Sequence, residues 1–277
     1  MDLYNQTSFK TSQLVTKLYS TSFYSASKLF HPSIRYHIFN IYGFVRFADE
    51  IVDTFINCNK KELLQDFENQ YYKAYKTGIS LNPILNSFVY TVKKFNIPDQ
   101  YIQAFLNSMK LDLEKQNYIN KSELDNYIYG SADVVGLMCL KVFCNNDENL
   151  FNQLKIPAIK LGSAFQKVNF LRDLKNDTQN LHRKYFPQLI QNNFDEQIKN
   201  EIIQDIENDF KIAYSGIVKL PKTSKKAVLT AYNYYKSLLK KIKHTPSQKI
   251  LNKRIRISNL KKTLIISKSL IYCNTAC

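Results

Sequence analysis

Two segments of this chain place carboxylates where they can act together. In Arg46-Phe47-Ala48-Asp49-Glu50-Ile51-Val52-Asp53 the aspartates stand four apart, on one helix face, with Arg46 a turn earlier. In the segment from Gln166 to Asp177, spacings of three, four and four align Gln166, Asn169, Asp173 and Asp177 in a single stripe, beside Arg172. Like charges at that spacing repel by about 0.3 kcal/mol on a bare helix. Near an apolar interior the cost is far higher unless a cation neutralises them. Either pair alone suits a solvated helix face. Two pairs in the company of amides and of Arg46, Arg172 and Arg183 describe something else. Magnesium is held by a few carboxylates, waters and substrate phosphates, and guanidinium forks match phosphate oxygens. The combination predicts a diphosphate site. No glycine-rich phosphate loop is present, so a nucleotide-binding fold is not its carrier.

The elements that must position these residues are helices. The 277 residues contain six glycines and seven prolines, too few turn formers for a many-stranded barrel. Apolar residues recur at three and four from Ile34 to Phe55. Asn82-Pro83 and Pro98-Asp99 read as helix starts, with helices over 83–95 and 99–116. Ser122 with Asp125 fits a capping box before a long helix to Phe143. Pro157 opens or kinks a helix to Leu181. Further helices are predicted over 195–216, 223–243 and 259–271, with 254–257 extended. The hydroxyl cluster Ser20-Thr21-Ser22 fits a capped helix start. Gly130 and Gly136 sit inside a helical stretch, which implies close packing or room for a ligand. The expected fold is a single all-α domain over 1–277.

The charge is uneven. Residues 1–209 hold 23 acids and 23 bases, whereas 210–277 hold 16 bases and no acid. The net charge of +16 therefore lies wholly in the C-terminal quarter. Leu260, Leu264 and Ile271, interspersed with Lys261, Lys262 and Lys268, predict an amphipathic helix suited to peripheral contact with an anionic membrane. No nucleic-acid motif accompanies the basicity, and no nucleic-acid partner is expected. The longest apolar run, Val134 to Leu140, is too short for a membrane span. Five cysteines form no C-x-x-C pair and read as reduced thiols, and the N-terminus has no apolar leader. These features point to the cytoplasm, with the inner membrane face as a peripheral location.

Five stretches together resemble the squalene/phytoene synthase family, the head-to-head trans-isoprenyl diphosphate synthases. They are Ser22-Phe23, Tyr42 to Asp53, Tyr129 to Met138, Gln166 to Asp177, and Arg183 to Pro187. The Asp-Glu-Ile-Val-Asp and Ala-Asp-Val-Val-Gly-Leu-Met forms look more like phytoene synthases. Asn176 departs from relatives that carry an acid just before the final aspartate. The resemblance implies helices around a central apolar cavity, with Asp49, Asp53, Asp173 and Asp177 as catalytic metal ligands, assisted by Asn169. It implies several Mg2+ ions, Mn2+ being an alternative, and no NADPH for a phytoene synthase. Arg46, Gln166, Asn169, Arg172 and Tyr185 would contact metal-bound diphosphate. Ser22, Phe23, Tyr42 and Tyr129 would line the substrate site, with Tyr129 also catalytic, and Tyr235 and Arg254 match later positions. The implied reaction joins two geranylgeranyl diphosphates into phytoene through a cyclopropylcarbinyl diphosphate. Two rivals are the same chemistry on farnesyl diphosphate, giving dehydrosqualene or squalene, and a non-catalytic assembly factor. The four outer aspartates argue against the latter.

Overall fold

The structure, a computed structural model, describes residues 2–55, 57–179, 181–258, 260–265 and 267. Among them the regular structure is helical, apart from one isolated parallel bridge between Asn117 and Lys184. The chain begins with α1 (Leu3–Tyr19), α2 (Thr21–Ser27), α3 (Pro32–Asp53), α4 (Lys60–Thr77), α5 (Pro83–Lys94) and α6 (Asp99–Glu114). Then come α7 (Lys121–Ile128), a π-helical turn (Tyr129–Asp133), α8 (Val134–Cys144) and the long α9 (Glu148–Gln179). It continues with α10 (Gln188–Gln191), α11 (Glu196–Ile217), α12 (Lys222–Lys243) and α13 (Ser247–Asn252).

Local chemistry sets most of the boundaries. Asn82 caps α5 by accepting from the amides of Ile84 and Leu85, and Pro83 fills the position where an amide would be orphaned. Ser20 caps α2 by accepting from the Phe23 amide at 3.3 Å, as the hydroxyl cluster predicts. The start of α7 differs from expectation. Its cap is Asn120, which accepts from the Glu123 amide, while Glu123 reaches back to the Ile119 amide. That pair does the work assigned to Ser122 and Asp125. The helix to Phe143 is not uniform either, because the π-helical turn inserts an extra residue at Tyr129–Asp133. Pro157 does not open α9, which begins at Glu148 and continues through the ring. Gly216 of α11 makes room there, since a Cβ on it would overlap Pro157. Helices α1 and α4 were not read from the sequence. The helix expected over 259–271 is seen at 260–265, and Lys268 and Ile271 lie outside the described residues.

The core is centred on α8, which packs against α3, α6 and α9. Val134, Leu137, Met138 and Val142 have no accessible surface. The helical stretch Lys121–Cys144 is long and apolar enough to cross a bilayer by composition, but most of it is buried in this core. One stripe of α8 behaves differently. Val135, Cys139 and Phe143 recur every fourth residue and are only half-buried. Cys139 is enclosed by protein, and burial pushes its thiol up to about 12, yet it keeps accessible surface. Such a residue lines an internal recess. Leu161 and Phe165 of α9 and Phe23 of α2 have the same half-buried apolar character.

Candidate active site

The first aspartate pair lies in the last two turns of α3. Arg46 donates to Asp49 at 2.6 Å and also to Glu50, and its guanidinium lies 4.5 Å from the Tyr19 ring centre. Burial, reinforced by the charge of Asp53, pushes the Asp49 carboxyl up to about 6. The Asp49 side chain nevertheless keeps 36% of its surface accessible. It therefore stands in a recess rather than in packed core.

The second pair closes α9. Arg172 donates to Asp173 at 2.5 Å, and Arg254 Nε approaches the other Asp173 oxygen at 2.6 Å. Asp177 is buried, and burial together with Asp173 pushes its carboxyl up to about 7. Gln166 and Asn169 are half-buried on the same helix. Asn169 Oδ1 accepts from the Tyr235 hydroxyl of α12 at 3.3 Å, and Tyr235 stacks on Phe165 at 3.9 Å.

Arg183 joins the two pairs. Its guanidinium donates to Asp53 at 3.1 Å and to the Asp112 carbonyl at 2.9 Å, and its amide donates to the Asp177 carbonyl at 2.7 Å. His182, just before it, takes a left-handed backbone conformation (φ +53) that turns the chain back across the end of α9. Asp53 lies close enough to raise the cost of charging Asp177. The faces of α3 and α9 thus meet at one end of the recess.

This donor set fits hard divalent cations. Carboxylate oxygens from two helices are held in a recess where burial and the neighbouring carboxylates raise the pKa values of Asp49 and Asp177, and bound positive charge would relieve that repulsion. Among the described residues no three acidic, histidine or cysteine side chains converge as a closed cage. Magnesium does not need one, because water and phosphate complete its shell.

Below the carboxylates the recess turns aromatic. Phe23 stacks on Tyr42 at 4.9 Å, and Ser22 precedes it on α2. Burial pushes the Tyr42 phenol up to about 12, and Arg46, Asp49 and Tyr235 all lie within electrostatic range of it. Residues from α2, α3, α9 and α12 therefore share one space.

That arrangement matches known proteins. The squalene/phytoene synthase family model aligns with residues 16–261. The chain belongs to this family. Among its relatives, a phytoene synthase of Arthrospira platensis is 26% identical over 94% of this chain and 91% of its own length. A 15-cis-phytoene synthase of Pantoea ananas is 24% identical, covering 90% of this chain and 87% of the relative. A dehydrosqualene synthase crystal structure superposes with a TM-score of 0.84 at 21% identity, covering 98% of both chains. A squalene synthase from Alicyclobacillus acidocaldarius superposes at 0.76 with 18% identity, covering 87% of this chain and 95% of that one. The all-α squalene/phytoene synthase fold is thereby shown, and with it a prenyltransferase enzyme.

Within this family site, one expected residue stands apart. Tyr129 lies at the start of the π-helical turn, is 38% exposed and lies within electrostatic range of Tyr101 of α6. The structure does not bring it to the aspartates. Tyr127, two residues earlier, is buried and donates to Asp112 at 2.8 Å. Tyr185 is buried, stacked on Phe170 at 3.9 Å and 5.5 Å from Tyr127, with Arg183 and Asp177 within electrostatic range. Asp112 was missed altogether. Burial pushes its carboxyl up to about 7 despite Arg183 beside it, and Asp53 and Asp49 lie within range. It carries no spacing signal, because its partners come from other helices.

Proposed function

We propose that this enzyme condenses two geranylgeranyl diphosphates head to head into phytoene, and that it does so with magnesium at the two aspartate pairs. The observation that carries this reading is the meeting of two aspartate faces and three arginines at one end of an apolar recess. The phytoene synthases among its relatives favour the longer substrate. When bound, magnesium would supply positive charge to the leaving diphosphate.

The chain's own residues do the rest. Asp49, Asp53, Asp173 and Asp177, with Asn169, would hold the ions. Arg46 and Arg172 offer forks to phosphate oxygens and would neutralise the charge that develops as the allylic C–O bond breaks. Phe23, Tyr42, Phe165 and Cys139 wall the recess against water, so the allylic cation meets the 2,3 double bond of the second substrate instead. That attack, completed by loss of a proton from C1 of the ionised substrate as the three-membered ring closes, forms the cyclopropylcarbinyl diphosphate, whose ionisation, rearrangement and loss of a second proton give phytoene without a reductant. The test supplies purified enzyme and Mg2+ with either geranylgeranyl or farnesyl diphosphate, and no nicotinamide. Phytoene from the first is expected. Exclusive turnover of the second would replace the proposed substrate, and turnover of neither would remove the reading.

Peripheral membrane contact, from the cytoplasmic side, is part of the same proposal. A long apolar product does not diffuse through water. Leu260 and Leu264 are 75% and 52% exposed, four residues apart, with Lys261 and Lys262 beside them. Near an anionic leaflet each such cation contributes about 1 kcal/mol. Salt-sensitive flotation with anionic vesicles, and little with neutral ones, is expected. Equal recovery on both, or none, would remove the membrane from the proposal.

A further inference from the structure

A second polar space opens beside the aspartates. It is a recess of about 380 Å3 between the end of α9 and the strap over 253–258, lined by Asp173, Lys175, Asn176, Asn252, Lys253 and Arg254. Its size is that of a small-molecule site. Its chemistry is that of an anion site. Three cations face one carboxylate, and that carboxylate is already paired with Arg172 and Arg254. Among the described residues neither Lys175 nor Lys253 has a carboxylate partner. The strap is anchored, since Ile255 and Ile257 are buried and Lys241 Nζ donates to the Arg256 carbonyl at 2.6 Å. It also belongs to the quarter of the chain that lacks acids. Asp173 and Arg254 line this recess and touch each other at the aspartate site, so the two spaces share a wall.

We propose that this recess binds inorganic diphosphate as it leaves the active site. The proposal rests on the reaction proposed above, in which each turnover releases two such anions. The apolar product stays in the aromatic recess or the bilayer, so the anions need a separate, polar way out. Arg254 stands at the boundary, where it can exchange its pairing with Asp173 for the departing phosphate oxygens. Lys175 and Lys253 then hold the anion on the side of Asp173 away from Asp49 and Asp53.

Calorimetry with inorganic diphosphate in excess chelator tests this directly. Without divalent cations the aspartate pairs repel the anion, so binding under these conditions reports the recess. Binding is expected for the wild-type chain, and it should weaken as salt rises. K175Q/K253Q, two exposed substitutions whose folding is checked by circular dichroism, should weaken it about fivefold. With Mg2+ present, the same variant should be less inhibited by added inorganic diphosphate, while its KM for prenyl diphosphate stays unchanged. No binding in chelator, or equal binding by the variant, would overturn the proposal. So would equally effective competition by sulfate at matched ionic strength, or a KM that rises in parallel. Wild-type turnover of prenyl diphosphate reports separately on the reaction itself, so the two ideas can fail independently.

Discussion

Helix α9 carries two ionic clusters on neighbouring faces, about 100° apart, and they are built by opposite rules. On the face toward α11, Lys167 is almost wholly buried and donates to Asp205 at 2.5 Å and to Asp209 at 2.7 Å. Lys160 adds a second bond to Asp209 at 3.0 Å, and Ser163 donates to Asp133 at 2.8 Å. Acids and lysines there answer one another inside the protein. On the other face, one residue away, Gln166 begins the stripe that ends at Asp177. Its arginines pair along the rim, Arg172 and Arg254 with Asp173, and Asp177 is left buried against Asp173 and Asp53. A satisfied cluster fixes the packing of α9 on α11. An unsatisfied one keeps charge in reserve for a ligand. Burial and carboxylate content are the same in kind, so neither separates function from structure. The pairing does.

The largest expected effect breaks the functional cluster. D173N or D49N should lower product formation by at least about a hundredfold and leave the helical circular dichroism unchanged. Magnesium with inorganic diphosphate should raise the melting temperature of the wild-type chain more than that of either variant. Full activity in excess chelator would remove the metal from the account. K167M should do the reverse. It strands the buried Asp209 with only a half-exposed lysine, at a cost of about 3 kcal/mol, while the folded fraction keeps its turnover. A K167M protein as stable as the wild type would mean that the two faces of α9 are not built differently.

The sequence carries this distinction only in part. Spacing separates the faces, because Lys167 falls four residues after Ser163 and off the stripe of Gln166, Asn169 and Asp173. It says nothing of Asp205 and Asp209, which α11 delivers from 38 and 42 residues away. The four aspartates, the arginines and the all-helical architecture were legible because each is a local pattern of three or four residues. Asp112 was not, since one acid in Lys110-Leu111-Asp112-Leu113-Glu114 has no periodic partner. Tyr127 was passed over in favour of Tyr129 for a related reason. Two residues apart they point to different faces, and the π-helical turn that begins at Tyr129 resets the register. That turn is imposed by packing. Gly130 sits where a Cβ would strike the Ala104 carbonyl and Ser108, and Gly162 presses on Asp133. Helix α4 was missed because its polar surface obscures the four buried residues, Leu64, Phe67, Tyr71 and Ala74, that hold it.

The smallest predicted effect separates the clusters by pH. Burial pushes Asp133 up to about 7, against the partial opposition of Ser163, Lys160 and Lys167 and with the help of Asp209. A carboxyl whose folded pKa lies above its unfolded one favours the native state when neutral. That contribution is fully present below the unfolded value near 3.8 and is lost as pH rises through about 7. Between pH 6 and 7 Asp133 alone should remove about 1 kcal/mol of stability. D133N, which cannot ionise, should flatten the decline by that amount. Asp49, Asp112 and Asp177 have raised values of the same sign and remain in both proteins, so the difference between the two curves isolates Asp133. Adding Mg2+ and inorganic diphosphate then sharpens the comparison. Bound cations favour the ionised aspartates of the functional site and should cancel their share of the decline, while the share of Asp133, on the other face of α9, persists. Denaturant melts at pH 6 and 7, with and without the two ligands, measure both shares. Coincident curves for wild type and D133N would show that Asp133 is already ionised at pH 6, and that the lysines of the α11 face hold its charge.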